Sequence, residues 1–229
     1  MKTSLVTAIL VFISNLFFAQ SQKFTISEAV NGLRSNLSVK NISQFTWSDD
    51  GKSYLSAVKN AYLISDIQTL KQDTLITLNQ INSNFSTDKK LKNLPQITFI
   101  NKNKGYFKNK SAYFWVEKSG NDWEIKDWTT ISEKAENTIA VPEKQSLIFT
   151  EKNNLYINKN GKTIPITNDA NENIVNGQTV HRSEFGINNG IFDAPDHNKI
   201  AFYRMDQTMV TDYPVIDWSV TPAENHNIK

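Results

Sequence analysis

Residues 45–58, FTWSDDGKSYLSAV, decide the fold class of this chain. Phe45-Thr46-Trp47 runs into the turn Ser48-Asp49-Asp50-Gly51-Lys52, and Ser53-Tyr54-Leu55-Ser56-Ala57-Val58 climbs out of it. Asp-Gly between two runs rich in aromatic and β-branched residues is a strong local signal for a β-hairpin, because glycine enters the left-handed backbone region without a Cβ clash.

The unit returns in weaker form along the chain. Gly105-Tyr106-Phe107 is followed by Ala112 to Val116, and Ser146-Leu147-Ile148-Phe149 by Asn154-Leu155-Tyr156-Ile157; its first strand recurs as Lys199 to Tyr203. Val141-Pro142-Glu143-Lys144-Gln145 and Asp193-Ala194-Pro195-Asp196-His197-Asn198 stand where Trp47 to Gly51 stands in the first copy. The interval of roughly 40 to 55 residues suits four-stranded propeller blades. A β-sandwich would also produce short strands, at a spacing of about 8 to 12 residues without the longer superperiod. The expectation is therefore an all-β chain: a partial β-propeller of four-stranded antiparallel sheets, about four blades of an eight-bladed ring.

Two other segments carry expectations. Gln80 to Asn93 is polar and lysine-rich and reads as a surface loop between blades. Trp123-Glu124-Ile125-Lys126-Asp127-Trp128 has period-two apolar positions and reads as a strand, its aromatics belonging to a blade core rather than to a binding platform.

At the N-terminus, Met1-Lys2 supplies a positive start, Leu5 to Phe18 an apolar run and Ala19-Gln20-Ser21 a small or polar exit. That order is the signature of a secretory signal peptide over residues 1–20, cut between Ala19 and Gln22, and the run is shorter than the ~20 residues of a spanning helix. The chain is expected to be exported, to the periplasm, the cell surface or the medium. Thr25 to Leu33 then reads as a short amphipathic helix, with a Thr or Ser cap, Glu28 in the first turn and Gly32 as a stop.

In 229 residues, 39% hydrophobic content is enough for a real core. With 25 basic and 23 acidic residues scattered along the chain, a net charge of +2 indicates no phosphate-neutralising face, and nucleic acid is not an expected partner. The absence of cysteine excludes disulfides, thiolate metal sites and a cysteine nucleophile.

No Gly-x-Ser-x-Gly elbow, glycine-rich phosphate loop or His-Glu-x-x-His helix occurs. His181, Asp193, Asp196 and His197 match no metal-ligand spacing, so neither metal nor cofactor is expected, and the three histidines read as ordinary polar residues. Glu184, beside Phe185 and the flexible Gly186 to Gly190, has two readings. It could hold a substrate ammonium through charge-assisted hydrogen bonds, or it could be a solvated loop carboxylate paired with Arg182 or Arg204.

Asn176-Gly177, Val180 to Ile187, Asp193 to Asp196 and above all Ala201 to Pro214 (AFYRMDQTMVTDYP) resemble the N-terminal propeller of dipeptidyl peptidase IV, in the prolyl oligopeptidase clan of serine peptidases. Trp47 to Gly51 and Asp193 to Asp196 look like worn copies of that family's Trp-Ser-Pro-Asp-Gly blade motif. The resemblance implies an enzyme that removes dipeptides from peptide N-termini, often after proline, in which the propeller caps an α/β-hydrolase domain carrying a Ser-Asp-His triad. It also implies that Glu184 matches the acidic segment that holds the substrate's free amine, with Ser183 as the alternative alignment one residue earlier. The family commonly has adjacent acidic residues there, whereas His181, Arg182 and Ser183 stand here, and no arginine accompanies Lys108 to Ser111 to bind the substrate backbone.

From this resemblance, residues 23–229 are expected to be the N-terminal part of such a propeller, with the catalytic domain outside this sequence and the piece inactive alone. The implied partners are peptides with a free N-terminus and the hydrolase domain of the full-length protein, for which a homodimer also stands open. A non-catalytic exported propeller-like binding protein is the alternative.

Overall fold

The computed structural model describes residues 23–35, 37–39, 41–180 and 184–228. The chain divides into two compact units at Ile42/Ser43. In the first, helix α1 (Ile26–Asn31) is held by a capping box: the Glu28 amide donates to Thr25 Oγ1 (3.1 Å) and the Thr25 amide donates to the Glu28 carboxylate (2.9 Å). Gly32 does not stop it, because its backbone is right-handed helical and the chain continues as a 3-10 turn through Arg34. The apolar side chains Ile26 and Val30 are exposed. The expected signal sequence, residues 1–20, lies outside the described residues.

Among its described residues the second unit is all β apart from one short helix and several 3-10 turns. Strands β1 (Ser43–Trp47), β2 (Ser53–Val58), β3 (Ala61–Asp66) and β4 (Gln72–Thr77) form an antiparallel sheet in sequence order. So do β5 (Ile97–Asn101), β6 (Lys104–Asn109), β7 (Ala112–Ser119) and β8 (Asp122–Thr130), and again β9 (Glu136–Val141), β10 (Ser146–Glu151), β11 (Asn154–Lys159) and β12 (Lys162–Pro165). Beyond them the strands pair in twos: β13 (Ile174–Asn176) with β16 (Arg204–Asp206), β14 (Ile191–Asp193) with β15 (Ile200–Phe202), and β17 (Tyr213–Asp217) with β18 (Glu224–Ile228). Three four-stranded sheets therefore stand among the described residues, and the stretch expected to make a fourth is built as pairs.

Each core lies between successive sheets, as in a partial propeller. Tyr62 and Ile76 of the first sheet meet Ile97, Phe107, Val116 and Trp123 of the second. Tyr113 of the second meets Leu147 and Phe149 of the third, and Val141, Ile148 and Leu155 of the third meet Ile191. Because side chains alternate across a strand, β10 sends Leu147 and Phe149 one way and Ile148 the other. Burial on both faces is why Ser146 to Phe149 reads as a continuous apolar run.

Three hydrogen bonds of the repeated turn recur between its first and last copies, while those of the Ser48 hydroxyl have no counterpart at Ala194. In the first copy the Ser48 amide donates to the Ser53 carbonyl (3.0 Å), the Gly51 amide to the Ser48 carbonyl (3.0 Å) and the Lys52 amide to the Asp50 carboxylate (2.9 Å). In the last copy the Ala194, His197 and Asn198 amides donate to Lys199 (3.0 Å), Ala194 (2.8 Å) and the Asp196 carboxylate (3.1 Å). Gly51 (φ 64°) and His197 (φ 55°) hold the same left-handed backbone, as does Gln145 (φ 49°) after Pro142 in the third sheet.

Two expectations need correction. Gln80 to Asn93 is more than a surface loop: helix α2 (Leu78–Asn82) is capped by Thr77 and Gln80, and it drives Ile81 fully into the first core. A five-residue helix is too short to display a period, although Thr77-x-x-Gln80 is a legible capping box. The strand expected over Lys199 to Tyr203 is confined to Ile200–Phe202, paired with β14; past Tyr203 a second strand, Arg204–Asp206, pairs with β13. The Trp123 to Trp128 segment is the expected strand. Trp123 is buried, and Trp128 stacks on Trp115 (4.3 Å between ring centres).

Candidate functional site

Residues 177–180 and 184–190 belong to an excursion from one hairpin. β13 pairs with β16 and β14 with β15, strands separated only by Tyr203, so the chain leaves this pairing after Asn176 and re-enters at Ile191. Tyr203 stands opposite the gap and ties both ends: the Gly177 amide donates to its carbonyl (2.8 Å), and its own amide donates to the Gly190 carbonyl (3.0 Å).

The stem requires glycine at both ends. Gly177 is left-handed (φ 72°), and a Cβ there would stand 2.8 Å from Thr150 Cγ2. At Gly190 a Cβ would stand 2.4 Å from the Gln178 carbonyl oxygen. Inside the stem the Thr179 hydroxyl donates to the Ile187 carbonyl (3.0 Å), and the Gln178 side chain donates to Asn153 (3.3 Å).

Glu184, Phe185 and Gly186 make a tight turn in the excursion, its central residues Phe185 and Gly186 both left-handed, closed by the Ile187 amide on the Glu184 carbonyl (3.0 Å). Phe185 is held left-handed (φ 56°) with its ring 91% exposed. Its exposed ring therefore adds little packing to set against a backbone conformation that is costly for a bulky residue. The Glu184 carboxylate is exposed and, among the described residues, makes no ion pair. Ser183, His181 and Arg182 lie outside the described residues.

Of the two arginines offered as partners of Glu184, Arg204 lies among the described residues. Arg204 pairs with Asp169 (3.0 Å), so it is not the partner of Glu184. Asp169 is held below the usual carboxylate range first by the Asn176 side-chain amide (2.9 Å) and then by Arg204. Asn176 is wholly buried and also donates to the Asn153 carbonyl (3.1 Å), which fastens the root of the excursion to the β10–β11 turn. His197 contacts Asp193 through Nδ1 and lies 3.6 Å from Glu143 through Nε2, joining the turns of two sheets. No group of three or more metal-ligating side chains occurs among the described residues.

The sequence reading missed Gly177, Gly190 and Tyr203. The Asn-Gly dipeptides at 176–177 and 189–190 are turn signals that bracket the excursion; nothing in the sequence singles out the Tyr203 backbone.

The family model describing the dipeptidyl peptidase IV N-terminal region matches residues 92–229. A crystal structure of a Bacteroides ovatus protein assigned as a dipeptidyl aminopeptidase IV superposes with a TM-score of 0.69 at 31% identity, over 83% of this chain and 26% of that one. Porphyromonas gingivalis dipeptidyl peptidase 4 superposes with a TM-score of 0.61 at 18% identity, over 91% of this chain and 31% of that one, a likeness of fold. The chain thus spans about a quarter to a third of the length of these two proteins. With its sheets packed in series and its last 138 residues matched throughout, this chain belongs to the dipeptidyl peptidase IV N-terminal region family.

Proposed function

We propose that the chain is the substrate-gating part of an exported serine dipeptidyl peptidase, and that Glu184 holds the free α-amine of the peptide. The observation that carries this reading is the excursion itself: a stem closed on Tyr203 that presents an exposed carboxylate with no ion pair among the described residues.

An anion at a set distance from a nucleophile acts as a ruler. The ammonium docks on Glu184 and the peptide extends away from it, so the second peptide bond meets a serine hydroxyl on the hydrolase domain that the family resemblance implies. Orientation of this kind lowers the barrier by removing freedom before the chemical step. Export rests on the Met1 to Ser21 pattern.

In the full-length enzyme, Glu184→Gln raises KM for peptides with a free N-terminus by about tenfold or more, the equivalent of losing a charge-assisted bond of about 1.5 to 3 kcal/mol. Peptides with an acetylated N-terminus, which offer no ammonium, are handled alike by both forms. Unchanged KM in the variant overturns the assignment of Glu184.

A further inference from the structure

The 22 residues from Lys89 to Lys110 contain seven lysines and no carboxylate. Charge that looks scattered over the whole chain is therefore segregated here, and the fold concentrates it further. Lys89, Lys90, Lys92 and Lys110 line one cavity of about 580 Å³ between the strap after α2 and the β6–β7 turn. Lys92 and Lys108 line the adjoining hollow, and Lys108 and Lys110 a third. A further cavity of about 660 Å³ shares Phe85, Lys89 and Phe114 with the first.

These lysines are not consumed by the fold. Lys104 is: it pairs with Glu117 (2.7 Å) and lies over the Trp115 ring (4.6 Å). Lys89, Lys90, Lys92 and Lys110 are exposed and make no ion pair among the described residues. Asp88, Asp127 and Glu133 are the acidic residues lining the lysine-bearing hollows, Asp127 in the larger cavity on the far side of Phe85 and Phe114. Like charges gathered within about one Debye length, ~8 Å at physiological salt, repel one another and set up a field that attracts anions.

The surface has a shape as well as a sign. The floor of the groove is apolar, made of half-buried Phe85, Leu91 and Phe114, and the cations stand on its rim. Recessed apolar groups do not suit a flat bilayer surface, which needs them protruding. Nucleic acid calls for exposed aromatic faces on which bases stack, and the rings here, Phe85 and Phe114, are half-buried in the floor. We propose that the groove binds an acidic peptide segment in which carboxylates flank an apolar side chain: the carboxylates meet the lysine rim and the apolar side chain fills the Phe85–Phe114 floor. This inference does not depend on the role of Glu184.

The test is fluorescence anisotropy of the full-length protein with a labelled Glu-Glu-Phe-Glu-Glu peptide. Saturable binding is expected, weakening about tenfold between roughly 50 mM and 200 mM salt. Glu→Gln replacement in the peptide removes binding, Phe→Ser weakens it, and Lys89→Glu with Lys110→Glu in the protein lowers affinity about tenfold or more. If that pair of substitutions disturbs folding, Lys89→Gln with Lys110→Gln keeps side-chain size and still lowers affinity. Absence of saturable binding, equal binding by the charge variants, or capture of phosphatidylglycerol vesicles or DNA that the acidic peptide fails to displace overturns the proposal.

Discussion

A Cβ placed on Gly190 would stand 2.3 Å from the carbonyl carbon of Gln178, so the two ends of the excursion touch backbone to backbone. Neither backbone can yield without breaking the bonds that Tyr203 makes to Gly177 and Gly190. Gly190→Ala is expected to destabilise the fold by about 1 to 3 kcal/mol, as overpacking does. It should also raise KM for free-amine peptides in the full-length enzyme, because the turn bearing Glu184 is displaced. Denaturant unfolding and steady-state kinetics check both effects; an alanine variant unchanged in both refutes the pinned stem.

Tyr62 is the polar centre of the first core. Its hydroxyl accepts the Ile97 amide (2.8 Å), and its single proton lies between the Pro95 carbonyl (3.0 Å) and the Gln44 side-chain oxygen. Burial pushes the phenol above its ordinary pKa. Tyr62→Phe leaves the Ile97 amide without its partner at a buried position, for an expected loss of about 1 to 3 kcal/mol. Urea melts of the two proteins measure it, and equal midpoints with equal slopes would refute it.

Trp123 binds the second sheet to the first by packing and by one hydrogen bond, Nε1 donating to the Leu75 carbonyl (2.9 Å). Trp123→Ala is expected to cost about 3 to 5 kcal/mol. Trp123→Phe keeps most of the apolar contact and should cost less. A denaturant series in which phenylalanine is as damaging as alanine would show that the ring's packing contributes little.

Asp169 gives a prediction in pH. Its folded-state pKa lies below the ordinary value, so the folded protein binds that proton less tightly than the unfolded chain does. Its stabilising contribution is therefore complete above the unfolded carboxylate pKa of about 3.9 and drains away as pH falls through the lower folded value. Other carboxylates held low, such as Asp50 and Asp66, add to the same acid limb. The difference between wild type and Asp169→Asn isolates one contribution: the variant's stability should fall less steeply below about pH 4. Thermal unfolding across that range is the measurement, and parallel curves would count against it.

Legibility followed the range of the interactions. The Ser48 to Gly51 turn, the Thr25–Glu28 capping box and the strand alternation of β8 involve neighbours a few residues apart, so their residue types announce them. His197 shows the limit of that code. It holds the backbone position that Gly51 holds in the first copy, because the surrounding hydrogen bonds impose the left-handed conformation on a residue that tolerates it less well. Ile81 was hidden for a related reason, since a helix of five residues has no period to read.

By itself, the sequence determined the all-β class and the repeating turn-and-strand unit, since each depends on local hydrogen bonding or on residue type; Glu184 became the candidate carboxylate through the family resemblance. Tertiary structure alone decided that Arg204 pairs with Asp169, 35 positions away, that Tyr203 closes the stem of the excursion, and that lysines from two loops share one groove. Those relations depend on which backbone atoms the sheets bring opposite each other. That register is set by burial of side chains on both faces of successive sheets, and it leaves no mark on either partner's own neighbourhood in the chain.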